Sequence, residues 1–107
     1  MTSKENAEQI AQILEDKKAE DVQVLHVGDK TIVADYFVIC SGHSVPHVKT
    51  LCDEVDEKVK EHGLDIKKLR TDGYNDGRWI VMDYGNILIH IFHPDEREYY
   101  NLERLWS

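Results

Sequence analysis

Residues 82–100 read MDYGNILIHIFHPDEREYY and crowd an aspartate, two histidines, an arginine and several aromatics around one tight turn. Asp83 beside His90 is the kind of pair that orients an imidazole for general-base work. A histidine and a carboxylate are also the beginning of a metal site. Both chemistries need further groups. A base needs a nucleophile, and Ser41 and Ser44 are the nearest candidates in the pattern. Zinc takes three or four protein ligands, whereas His90 and His93, three apart in a strand, point to opposite faces. The SGHS stretch at 41–44 resembles a phosphate-cradling turn ahead of a helix, but it has one glycine and no lysine, so a loop leading into a helix cap explains it more simply. DGYNDGR offers Asp72 and Asp76 without the spacing or closing glutamate of a calcium loop. No catalytic residue, metal or cofactor is expected.

What remains is binding. The runs WIVMDY and ILIHIF flank Gly85-Asn86, the signal of a hairpin with a two-residue primed turn. Such a loop sets the register: Tyr84 opposite Ile87, Met82 opposite Ile89, Ile80 opposite Ile91. Those six side chains form an apolar core face. The other face carries Trp79, Val81, Asp83, Leu88, His90 and Phe92, with Asp83 and His90 as diagonal neighbours. Aromatic bulk beside a few polar groups is the usual makeup of a binding hot spot. The candidate partner-binding residues are therefore Trp79, Asp83, His90 and Phe92, extended by Arg97, Tyr100 and Trp106 from the helix that follows. The alternative is that a helix covers this face, with Asp83 and His90 paired beneath it.

The elements that position this hairpin follow from periodicity. Ala7, Ile10, Ala11 and Leu14 recur at helical spacing, with Glu5 early and Lys17 and Lys18 late. DVQVLHV alternates as a strand and closes at Gly28. ADYFVICSG is apolar on both faces, as a central strand covered on both sides should be. Ser44 caps a second helix with Pro46 in its first turn, a stripe of Val48, Leu51, Cys52, Val55 and Val59, and a stop at Gly63. IKKLRT is a weaker strand, and strand–helix–strand at this spacing implies a right-handed parallel crossover. Asp95 and Glu98 have capping-box spacing ahead of a last helix bearing Tyr99, Leu102 and Trp106. The order α, β, β, α, β, β, β, α predicts one α/β (α+β) domain over 1–107 with a mixed sheet of about five strands flanked by helices.

Bulk properties fit a cytoplasmic globular protein. The chain has 107 residues, 41% hydrophobic and 32% charged, and no run approaches the roughly 18 apolar residues of a membrane span. Cys40 and Cys52 sit in apolar patterns and make no CxxC pair, which reads as two buried thiols in a reducing compartment. A net charge of −8 argues against sequence-specific nucleic-acid binding and suits a basic partner.

The residues DYFVICSGHS at 35–44, WIVMDYGNILIHIF at 79–92 and REYYNLERLW at 97–106 together closely resemble the ribosomal silencing factor, or Iojap-like, family. The resemblance runs from about Ala19 to Trp106. SVPHV stands where the family has Arg or Asn with Gln after the cap serine, and Thr71-Asp72-Gly73 replaces a more usual Glu-Gly. The resemblance implies a fold similar to nucleotidyltransferases with the metal-holding Asp-x-Asp pair missing. It implies binding to the large ribosomal subunit through ribosomal protein fourteen, steric exclusion of the small subunit, and translational repression under nutrient limitation. Related organellar proteins act in large-subunit assembly, and members form homodimers in isolation. The competing enzymatic reading is a divergent nucleotidyl or phosphoryl transferase working near Gly42 and Asp83.

Overall fold

A computed structural model of the chain describes residues 2–96. In order they form α1 (Ser3–Asp16), β1 (Glu20–His26), β2 (Tyr36–Ser41), α2 (Val45–Glu61), β3 (Arg70–Asp72), β4 (Trp79–Asp83) and β5 (Ile87–Phe92). The fold is α/β (α+β), built on a five-stranded mixed sheet in the order β1-β2-β5-β4-β3. β2 and β5 are parallel, and the other neighbouring pairs are antiparallel. Among the described residues no helix is long and apolar enough to cross a membrane.

Local chemistry starts and stops each helix. α1 begins with a capping box: the Glu5 N–H donates to the Thr2 hydroxyl at 3.1 Å, and the Thr2 N–H donates to the Glu5 carboxylate at 3.0 Å. Its stripe of Ala7, Ile10, Ala11 and Leu14 is buried. In α2 the Ser44 hydroxyl accepts from the His47 N–H at 3.2 Å. Pro46 lies in the first turn, and Gly63 follows the helix at φ +65°. Gly42 belongs to this packing, since a Cβ there would sit 2.9 Å from Val48.

The predicted crossover is partly right. β3 runs parallel to β2, but β5 and β4 lie between them in the sheet. β3 is also shorter than IKKLRT suggests, three residues at the sheet edge. Ahead of it, Leu64 and Ile66 are partly buried against the main core.

Both helices cover one sheet face. Ile10, Leu14, Leu51 and Val55 meet Val38, Ile80, Met82, Ile87, Ile89 and Ile91 in a single cluster. Burying each large aliphatic side chain of this kind contributes about 1.5–3 kcal/mol. Cys40 and Cys52 belong to that core. Burial, with Asp56 and Asp53 nearby, pushes the Cys52 thiol up to about 12, so it stays protonated and inert. The opposite face holds a second cluster of Val27, Ala34, Phe37, Ile39 and Phe92. Both faces of β2 are thus buried, as its sequence requires.

Candidate functional site

The hairpin has the register its two-residue turn dictates, with Ile80 opposite Ile91, Met82 opposite Ile89, Val81 opposite His90 and Trp79 opposite Phe92. Parallel pairing with β2 then lays Phe37 beside Leu88 and Ile39 beside His90. The face away from the helices therefore carries an aromatic row drawn from three strands. Trp79 stacks on Phe92 with ring centroids 5.0 Å apart. Phe37 meets His90 edge-on at 4.8 Å. Phe37 is the member that sequence reasoning missed. Alternation in ADYFVICSG puts Phe37 and Ile39 on one face, but no local signal tells which strand lies beside them.

The polar groups of this row do not pair as their diagonal placement suggests. The Trp79 indole Nε1–H donates to His90 Nδ1 at 3.2 Å. Asp83 turns back toward its own turn, where its Oδ1 accepts from the Gly85 N–H at 2.8 Å. Asp83 paired with His90 is thus corrected, for two physical reasons. His90 is diagonal to both Trp79 and Asp83, and a twisted ladder does not keep two opposite diagonals equal. An aspartate two residues ahead of a turn glycine also has a local donor at hand. Gly73 lies against the Trp79 backbone, at φ +81° and so close that a Cβ would lie 2.2 Å from the Trp79 carbonyl oxygen.

His90 is 6% exposed, and burial lowers its pKa to about 4. It is neutral at physiological pH. Because Nδ1 accepts from the indole, the ring proton sits on Nε2, which is buried with no hydrogen-bond partner among the described residues. A histidine whose basic nitrogen is already occupied cannot take a proton from a substrate. Ser44 is engaged as a helix cap and Ser41 is buried, so neither is presented as a nucleophile. Among the described residues no three His, Cys, Asp or Glu side chains lie close enough to hold a metal ion.

Of the residues predicted to bind a partner, Trp79 and Asp83 are half-buried and keep accessible surface. His90 and fully buried Phe92 lie beneath the surface and can only position what is above them. Arg97, Tyr100 and Trp106 lie outside the described residues. The predicted cap of the last helix is displaced: residues 94–96 are already helical, so Asp95 lies inside. His93 takes the cap position, its Nδ1 accepting from the Asp95 N–H at 3.4 Å. The chain leaves the sheet tied to the start of β4, with the His93 N–H on the Arg78 carbonyl at 2.8 Å and Arg78 Nη1 3.3 Å from Glu96.

All 107 residues match the family described as ribosomal silencing factor during starvation. A ribosomal silencing factor of Bacillus subtilis is 42% identical over 87% of this chain and 77% of its own. That of Halalkalibacterium halodurans is 40% identical over 100% and 90%. A crystal structure of a Chromobacterium violaceum protein superposes with a TM-score of 0.91 at 32% identity, covering 99% of this chain and 87% of that one. A mouse protein named for mitochondrial assembly of the ribosomal large subunit is 31% identical over 98% of this chain and 46% of its own.

Proposed function

Because this chain belongs to the ribosomal silencing factor family, we propose that it binds the large ribosomal subunit and prevents the small subunit from joining. The docking partner in this reading is large-subunit ribosomal protein fourteen, and the consequence is translational repression under nutrient limitation in the cytoplasm. The protein acts as one binding domain, needs no cofactor, and turns over no substrate.

The observation that carries the reading is the aromatic face of the hairpin. Trp79 is held by a stack on Phe92 and a hydrogen bond to His90, with Asp83 fixed at the turn. Rigid aromatic anchors beside fixed polar groups lose little entropy on binding, which is why they concentrate affinity. The acidic balance of −8 steers the chain toward a basic protein. Trp79 and Asp83 make the contact, His90 and Phe92 hold Trp79 in place, and Arg97, Tyr100 and Trp106 complete the surface. Steric exclusion needs no turnover, so an occupied histidine is no obstacle.

The test is co-sedimentation with purified large subunits followed by a subunit-joining assay. Stoichiometric binding with slowed joining is expected. Binding without any effect on joining would leave the second reading, large-subunit assembly, which the name of the mouse relative favours. No binding to large subunits would end both. Light scattering of the free chain checks the homodimer that belongs to the same proposal.

A further inference from the structure

Charge is unevenly distributed along this acidic chain. Residues 58–70 hold Lys58, Lys60, Lys67, Lys68 and Arg70 against Glu61 and Asp65, five cations to two carboxylates. That window is net +3 in a chain of net −8, which leaves −11 on the rest. Folding then sorts these cations. Lys58 pairs with Glu61, Lys68 with Asp56, and Arg70 with Asp72. Lys60 and Lys67 have no ion-pair partner among the described residues, although the protein is rich in carboxylates.

Both free lysines line the same groove. Its walls are α2, at Val59 and Lys60, and the irregular segment at 66–68, with Tyr84 between them, and its volume is about 390 Å³. A second hollow of about 430 Å³ shares Ile66, Lys67 and Tyr84 and continues to Gly85 and Asn86, with the Asp65 carboxylate on its far side, where it accepts from the Asn6 side chain at 3.0 Å. Tyr84 is fixed by its hydroxyl, which donates to Asp56 at 2.8 Å, and Asp56 is in turn held by Lys68. The groove thus has a rigid floor and two uncompensated ammonium groups. Lys58 and Lys60 also complement the carbonyl end of α2. Lys67 lies beyond the helix, and the helix dipole gives no reason for it.

We propose that this groove contacts the phosphodiester backbone of RNA. Lysine serves as a compact point charge for phosphate, and two such charges over an apolar floor fit a sugar–phosphate strand read without regard to sequence. The remaining −11 repels a polyanion, so the contact is local and secondary, made once another surface has docked. In naming ribosomal RNA as the natural source, the proposal rests on the large-subunit reading above.

The first experiment is independent of that reading. The isotope-labelled chain is titrated at low salt with a short RNA hairpin, following backbone amide shifts. Shifts confined to residues 58–70 and 84–86 are expected, and they vanish in Lys60→Ala/Lys67→Ala while the rest of its spectrum is unchanged. Shifts elsewhere, or none, overturn the proposal. Equal shifts with polyglutamate also overturn it, because the groove would then read acidic protein. The second experiment measures large-subunit affinity against salt. The double variant should lower the slope of log K on log salt by about 1–2, roughly one per phosphate contact removed. An unchanged slope counts against the contact. A chain that fails to bind subunits defeats the silencing reading and leaves the first experiment to judge the groove.

Discussion

The two faces of the β4–β5 hairpin come from the same alternating residues and meet different demands. Ile80, Met82, Tyr84, Ile87, Ile89 and Ile91 are at most 5% exposed and lie under both helices. Trp79, Val81, Asp83, Leu88, His90 and Phe92 face the other way, and that face holds a histidine, a carboxylate and an indole N–H. The first face needs shape at five of its six positions, and a polar partner only for the Tyr84 hydroxyl, which donates to Asp56. Each polar group on the second needs a partner in a definite place, so geometry there is under tighter demand than volume. A strand's period of two lets one short sequence meet both demands with alternate side chains.

The largest effect should come from the helix-covered face. Ile89 is fully buried in the main core, and Ile89→Ala removes three carbons from a site its neighbours cannot refill. The expected loss is about 3–4 kcal/mol by urea denaturation. Large-subunit affinity, corrected for the folded fraction, should stay as it was. A fall in corrected affinity would show that the two faces are coupled, and the division of labour would fail.

The next effect belongs to His90 and acid. An unburied histidine titrates near 6.5, and burial holds this one at about 4. As pH drops below about 6.5 the unfolded chain takes up a proton that the folded chain refuses, so stability falls until about pH 4 and then levels. The loss reaches about 3 kcal/mol. His90→Leu should lack that component, so its stability relative to the parent chain should rise by about 3 kcal/mol from pH 7 to pH 4. Parallel curves would mean that His90 is not buried in solution as it is here.

Legibility in the sequence divides along the same line. The register of the hairpin, both described helices and the apolar face were readable because each depends on spacing within one segment: the two-residue Gly85-Asn86 loop, the Ser44 cap, the stripe from Val48 to Val59. The face turned away from the helices was readable as a set of residues but not as an arrangement. Trp79 as the partner of His90, Phe37 as a neighbour, and Asp83 turned toward Gly85 depend on strand twist, on parallel pairing between distant segments, and on competition between local and cross-strand donors. The segment around Ile66 was misread for a related reason. Its alternation suits a strand, but only Arg70–Asp72 pair with β4, while Leu64 and Ile66 pack against the main core.

Trp79 allows the second face to be dissected. Trp79→Phe keeps an aromatic ring for the stack on Phe92 but removes the indole N–H that satisfies His90 Nδ1. A buried acceptor left without its donor costs about 1–3 kcal/mol, and the smaller ring adds a little more. If Trp79 also anchors the partner, large-subunit affinity falls by about 1–2 kcal/mol beyond the loss in stability. Normal affinity in the folded fraction would assign Trp79 wholly to the fold.

The smallest change in stability and the sharpest test of the comparison is Asp83→Asn. Asp83 is half-buried, and its one structural duty on this face is to accept from the Gly85 N–H through Oδ1. An asparagine carbonyl can accept the same bond, so the turn keeps its geometry and stability should move by no more than about 0.5 kcal/mol. The substitution removes only the negative charge. On a face meant for a basic partner, that charge would form a charge-assisted hydrogen bond, and its loss should weaken large-subunit binding by about 1–2 kcal/mol, roughly 5- to 30-fold in Kd. Melting temperature and large-subunit affinity measured on the same preparation separate the two roles. An unchanged melting temperature with weaker binding places Asp83 on the contact surface. Unchanged values for both would remove Asp83 from the contact and leave Trp79 as the only candidate on this face with accessible surface among the described residues.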